Sequence, residues 1–368
     1  MTRERIPARV TPPGTIIQLE IDARGWTQKD LAEIISRPVQ AINEIIKGTK
    51  QITPETAIEL GAAFGTSPQI WLNLETNYRL WIASKKKDGT DIAKRGQLYS
   101  LLPVNEIQKR GWIGPARTTE ELESKICEFL SISTIDDEPK VINFRCSPGK
   151  EPDLPSKLAW VKRVEHLAQK KEVRPFDPEE FVKNIPGILQ LSQDETKVKD
   201  IKKILADFGI RFVLVPTLPK TYIDGAAFYL GESPVIALSL RYNRIDSFWF
   251  NLCHEISHII YDHNESYLDF NLYGDGPSGE EIISTKEEVE ANNRAKNWLI
   301  DPNAYKSFIQ QVKGRYFSQQ AIIDFAQSQQ RHPGIILGRL QRDDWVSYRH
   351  LRKLLVNVIP FLRDQIDC

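Results

Sequence analysis

The chain has 368 residues, 41% hydrophobic and 27% charged, a balance that fits a globular protein and excludes a disordered or fibrous one. Its 49 basic residues equal its 49 acidic ones, so net charge points to no polyanionic or membrane partner, and any basic patch must be local. Four scattered cysteines, Cys127, Cys146, Cys253 and Cys368, form no C-x-x-C pair, which speaks against a disulfide framework and against a thiolate zinc site.

The N-terminus, MTRERIPARV, is charged, and no apolar segment follows it, so it does not read as a signal peptide. No apolar run approaches the roughly 18 residues of a membrane span. A cytoplasmic protein without a membrane partner is expected. After Pro12-Pro13-Gly14, apolar residues at Ile16, Ile17, Leu19 and Ile21 predict a short helix over 15–23. Gly25-Trp26 breaks it. Thr27 with Asp30 three residues on has the form of a capping box, opening a helix over 28–35 with Leu31, Ala32 and Ile35 inward. Ser36 caps a second predicted helix, 37–47, with Val39, Ile42, Ile45 and Ile46 inward and Gly48 ending it. Thr53-Pro54 and Ser67-Pro68 each start a further helix with proline at its first position.

Helix, tight turn, helix within roughly twenty residues is a helix-turn-helix signal. The second helix of that motif enters the major groove. Its outward residues here are Arg37, Gln40, Asn43 and Lys47. Arginine, glutamine and asparagine can read guanine or adenine edges with two hydrogen bonds, while Lys47, Lys50 and Gln28 are suited to phosphates. For any one of them alone, a plain solvated helix face is an equal reading. The whole stretch from Leu31 to Leu80, with its ITPETA, FGTSPQIWLNLE and YRL elements, closely resembles the HigA-type antitoxins of the Xre-like helix-turn-helix class. That resemblance implies an all-α DNA-binding domain over 1–83, a homodimer on operator DNA, and a HigB-like toxin as partner.

Ser84 to Gly89, SKKKDG, is a charged break and a boundary. Amphipathic helices are predicted over 98–109, 119–130 and 156–171, joined by acidic or proline-rich connections at 136–139 and 146–155. The last of these helices is basic, yet Trp160, Val161, Val164 and Leu167 at helical spacing make it a packing helix rather than a nucleic-acid contact. Residues 84–199 carry no motif and read as a helical middle region. Beyond it come a helix over 198–209 and strands over 210–215, 225–230 and 235–240, the last two joined by the turn Gly231-Glu232-Ser233-Pro234. An edge strand of such a sheet can pair with an extended substrate.

The stretch FWFNLCHEISHIIYDH, Phe248 to His263, holds three of the six histidines. Residues four apart on a helix lie one above the other, so His254 and His258 can present two ring nitrogens to one Zn2+, with Glu255 beside them as general base. Zinc lowers the pKa of bound water from about 16 to about 7. The surrounding apolar residues bury this helix, and buried histidine and glutamate need partners. Cys253, inside the motif, reads as packing. A third ligand is required. His263 does not fit the longer histidine motif, because Tyr261 and Asn264 stand where glycine and histidine are needed. Glu287 or Glu290 on the next predicted helix, sharing a face, can complete the site.

HEISH, then Glu290-Ala291-Asn292, then Leu299 to Pro302, then HPGIILGRLQ from His332 resembles the ImmA/IrrE metallopeptidases over roughly 201–340. The resemblance implies a zincin-like C-terminal domain over 200–368, with His254, His258 and Glu290 as zinc ligands and Glu255 as the catalytic base. His332 is read as a turn residue. Residues 322–326 and 345–361 are predicted helices. The sequence thus predicts a mainly α protein with a small β-sheet (α+β). It is read as an antitoxin-like transcription regulator carrying a zinc metalloendopeptidase that cleaves a repressor, itself or a partner. The alternative is a non-catalytic repressor whose zinc pocket is a sensor or structural site.

Overall fold

The computed structural model describes residues 10–86, 89–137, 139, 144–146, 153–261, 266–270, 286–312 and 316–367. His263, two residues of the charged break and most of 262–285 lie outside them. The chain divides into two compact units, Met1–Arg95 and Gly96–Cys368. No helix among the described residues is long and apolar enough to cross a membrane.

The first unit is helical: α1 Pro13–Ala23, α2 Gln28–Ile34, α3 Val39–Ile46, α4 Pro54–Phe64 and α5 Pro68–Lys86. Thr27 and Asp30 form the expected capping box, with the Asp30 N–H donating to Thr27 Oγ1 at 3.2 Å and the Thr27 N–H to Asp30 Oδ2 at 2.7 Å. Thr53 caps α4 with Pro54 at its first position. Ile17, Ile21, Leu31, Ile42, Leu60 and Trp71 make the core. Gly14 of α1 lies against α3 so closely that a Cβ there would be 2.0 Å from the Ile46 carbonyl oxygen. One expectation shifts. Pro38 rather than Ser36 stands at the start of α3, so Ala41, Ile42 and Ile45 point inward and Val39 is 43% exposed.

The boundary to the second unit falls within α6, Gly89–Leu101. The expected helix over 98–109 is two helices, because Pro103 cannot donate to a continuing ladder and α7 restarts at Val104–Lys109. Next come α8 Thr119–Leu130, β1 Phe144–Cys146, α9 Leu154–Gln169, α10 Pro178–Gln190, α11 Ile201–Asp207, β2 Arg211–Leu214, β3 Ile223–Leu230, β4 Ser233–Leu238 and α12 Ile245–Tyr261. Then follow β5 Ser266–Phe270, α13 Lys286–Leu299, α14 Pro302–Val312, α15 Gln319–Ser328, α16 Pro333–Arg342 and α17 Ile359–Leu362.

The sheet runs β1-β5-β3-β4-β2. β2 is parallel to β4, β3 antiparallel to both β4 and β5, and β1 parallel to β5. Both faces are apolar, since strand side chains alternate. Phe212, Leu214, Ala227, Ile236 and Leu238 join a core with α10 to α13, α15 and α16. Val213, Val215, Ala226, Phe228, Val235 and Ala237 join another with α7, α8 and α9. An apolar face must be covered. The helices of 84–199 are therefore not a separate middle region: most of them cover one face of the sheet, and α10 lies in the core on the other.

Residues 345–358 are not the expected helix. Positive φ at Asp344 (59°) and Leu351 (55°) turns the chain. The segment then crosses the start of α12, where the Ile245 N–H donates to the Val356 carbonyl at 2.9 Å and the Val358 N–H to Asn243 at 2.8 Å.

Candidate metal centre and nucleic-acid interface

Helix α12 is buried from Ile245 to Ile260, the state of a helix that is apolar nearly all round. Its polar residues must therefore satisfy one another or a ligand. His254 and Glu255 are 0% exposed and His258 is 2%. The two histidine Nε2 atoms stand 3.0 Å apart, as the four-residue spacing requires.

The third group comes from α13, which packs against α12. Its buried stripe is Glu288, Ala291, Ala295 and Leu299, one face at helical spacing. Glu288 Oε2 lies 3.3 Å from His254 Nε2, and Oε1 lies 3.5 Å from His258 Nε2. One ligand atom from each of the three residues falls within 4.8 Å of the others. Around a tetrahedral zinc with bonds of roughly 2.0–2.1 Å, ligand atoms sit about 3.3 Å apart. Two imidazole nitrogens and a carboxylate at these separations fit that ion.

The structure thus brings Glu288, and not the expected Glu290, to the two imidazoles. Two residues further on is about 200° round the helix, so Glu290 turns away. Its side chain is 45% exposed and accepts from Arg294 Nη2 at 2.7 Å. Arg294 also donates to Ser257 Oγ at 3.3 Å and lies 4.0 Å over the Tyr261 ring. Glu287 is outside the cluster as well. The signal that separates the three glutamates is the pair of small residues Ala291 and Ala295, which mark the face that packs closest.

Glu255 is set against β3. A Cβ on Gly225 would lie 2.0 Å from Glu255 Oε1 and 2.9 Å from its Cδ, so only glycine lets the strand run beside this carboxylate. The strand beside the centre is not the open edge expected from the sequence, because β4 and β5 pair with β3 on either side. Cys253 is fully buried, and burial pushes its thiol up to about 12, consistent with packing. His332 caps α16, its Nδ1 accepting from the Gly334 N–H at 3.0 Å, and burial holds its imidazole below the usual histidine value.

In the first unit, Gln40, Asn43 and Lys47 follow one face of α3 and its end; Gln40 and Lys47 are exposed and Asn43 half-buried. Gln40 Nε2 donates to Glu44 Oε1 at 3.2 Å. Arg37 precedes α3 and is engaged elsewhere: both Nε and Nη2 donate to the Glu59 carboxylate, the latter at 3.2 Å, and this pairing raises its pKa. Gln28 donates to Gln18 Oε1 at 3.0 Å. The structure therefore groups Gln40, Asn43 and Lys47, ties Arg37 to α4, and ties Gln28 to α1.

The helix-turn-helix family matches residues 17–71. Over 76 residues the chain is 34% identical to the uncharacterized HTH-type transcriptional regulator YddM of Escherichia coli K12, a match covering 21% of this chain and 81% of that protein. It is 33% identical over 69 residues to antitoxin HigA-1 of Vibrio cholerae, covering 18% and 65%. Among solved structures, it is similar to the Pseudomonas aeruginosa antitoxin HigA with the higBA promoter, at 30% identity over 23% of this chain and 91% of that one, with a TM-score of 0.22.

Proposed function

The chain belongs to the helix-turn-helix family through residues 17–71, and on that premise we propose that it is an antitoxin-like, DNA-binding transcription regulator whose second unit is a zinc-dependent endopeptidase similar to ImmA/IrrE. In the first unit, α3 enters the major groove of an operator with Gln40 and Asn43 toward base edges and Lys47 toward phosphate. A homodimer and a HigB-like toxin partner accord with the kinship to antitoxin HigA-1.

In the second unit, His254, His258 and Glu288 hold Zn2+, and Glu255 is the base. When bound, the ion polarises the scissile carbonyl and makes water acidic enough to deprotonate near neutral pH. Glu255 takes that proton and returns it to the leaving amine. Its full burial favours this role, because a proton held in a dry site is not lost to bulk water. The observation that carries the reading is the convergence of two imidazoles and a carboxylate within 4.8 Å, with a buried glutamate next in sequence to the first. A structural zinc site has no need of that glutamate.

The test is paired. Purified protein should contain one zinc per chain and His258→Ala none. Glu255→Gln should keep the zinc and abolish cleavage of the protein's repressor or toxin partner. Cleavage by Glu255→Gln at the wild-type rate would remove the peptidase reading.

A further inference from the structure

β3 is antiparallel to β4 and runs with Gly225 against the Glu255 carboxylate. An extended peptide added along the outer edge of β3 would pass Gly225, where the strand lies against Glu255. In the structure that edge is taken. β5 pairs antiparallel with β3, in the register Ile223 with Phe270, Gly225 with Asp269, Ala226 with Leu268 and Ala227 with Tyr267. Asp269 is thus the residue opposite Gly225, at the point where β3 touches Glu255. β1 then pairs with the far side of β5, so β5 is held on both edges.

We propose that Ser266–Phe270 is an internal pseudosubstrate strand: it occupies the place of an extended peptide substrate along β3 and keeps the centre latent until it is displaced. The location of β5 supports this. It follows α12 in the chain, with only residues 262–265 between them, so the helix that carries the histidines leads into the strand that pairs with β3 beside Gly225. A binding partner that pulls β5 or β1 from the sheet would switch the centre on. Apparent peptide affinity is the intrinsic affinity multiplied by the fraction of molecules in which β5 is released. The geometry rests on the strand register alone; the regulatory consequence rests on the peptidase reading.

The experiment uses the full chain and a fluorescein-labelled peptide with the sequence of residues 264–272, followed by fluorescence anisotropy. Leu268→Pro removes a ladder N–H from β5 and should free the slot. Ala226→Cys with Leu268→Cys, made in a Cys146→Ser background because Cys146 is the register partner of Leu268 on β1, should close it by a disulfide; opposed residues of antiparallel strands are near enough for one. Peptide affinity should rise at least tenfold from the oxidised pair to the reduced pair, and at least tenfold again in Leu268→Pro. Equal affinity in the oxidised and reduced forms overturns the proposal. That comparison within one protein decides the matter even where Leu268→Pro does not fold. Peptide binding is read in Glu255→Gln as well. Tight binding by Leu268→Pro with one zinc per chain, but without hydrolysis of the peptide or of unfolded casein, keeps the strand slot and discards the peptidase.

Discussion

Helix α12 is buried along sixteen consecutive residues, Ile245 to Ile260, whereas α3 buries only Ala41, Ile42 and Ile45. Both carry polar side chains at i and i+3 or i+4 spacing. In α12 those side chains are buried and confined by their neighbours: His254 and His258 lie beside Glu288, and Glu255 lies close against Gly225 of β3. In α3, Gln40 and Lys47 are exposed, and Gln40 leans on Glu44 of its own helix rather than on a buried cluster. A buried constellation therefore stands or falls on single atoms, while an exposed one loses affinity in increments.

The largest effect that can break this contrast is at the acid ligand. Glu288→Gln should take zinc from one per chain to near none by elemental analysis, a loss beyond the roughly 10- to 100-fold that removal of an outer partner produces. Glu290→Gln, two residues away and solvated, should leave the zinc content unchanged. The reverse result would put the acid ligand back at Glu290.

Next comes Gly225→Ala. The added carbon would sit 2.0 Å from Glu255 Oε1, and overpacking of a buried site costs about 1–3 kcal/mol. Thermal melts should show that loss. Zinc should stay, because no ligand moves off α12 or α13, while hydrolysis fails. Unchanged stability would mean that the carboxylate is not confined by β3.

Asn43→Ala and Gln40→Ala should each weaken operator binding in a gel shift by about 1–3 kcal/mol, the worth of a base-edge contact. Arg37→Ala should weaken it less, because Glu59 already holds the guanidinium. A larger effect from Arg37 than from Asn43 would show that the pair opens on DNA.

The smallest effect is at a cap. His332→Ala removes the acceptor for the Gly334 N–H, a loss of about 1 kcal/mol. The pH dependence sharpens this test. Burial holds the His332 imidazole below its usual value, against the raising influence of Glu195, Asp194 and Asp246. The unfolded chain therefore takes up the proton first, and stability present above about pH 6.5 declines as pH falls below it. His332→Asn keeps a capping acceptor without the proton site and should flatten that decline in urea melts. The flattening is partial, since His166 is depressed in the same direction, by burial first and then by Lys162, Arg163 and Lys170.

Legibility followed the range of the forces involved. The Thr27–Asp30 box and the Thr53-Pro54 start were readable because each is closed within one turn of chain, and the Thr119–Leu130 helix because its apolar spacing repeats within one continuous segment. The His254–His258 pair was readable for the same reason. β1, β5 and α10 were not, since short strands are defined by the partners that pair with them and α10 by the core that covers its apolar side. The strap over 345–358 read as a helix from its apolar content. Its backbone is spent instead on hydrogen bonds to the start of α12.

By itself, the sequence determined that two imidazoles share one side of a helix and that N-terminal helices start at Thr27, at Thr53-Pro54 and at Ser67-Pro68, because 3.6-residue periodicity and capping are properties of local backbone. Only the tertiary structure decided which glutamate meets the imidazoles, which strand runs beside Glu255, and where the helices of residues 98–169 belong. Those outcomes depend on how α13 is rotated as Ala291 and Ala295 pack toward α12, and on two apolar sheet faces that must both be covered. Rotation and coverage are settled between elements distant in sequence, where no spacing within one element can specify them.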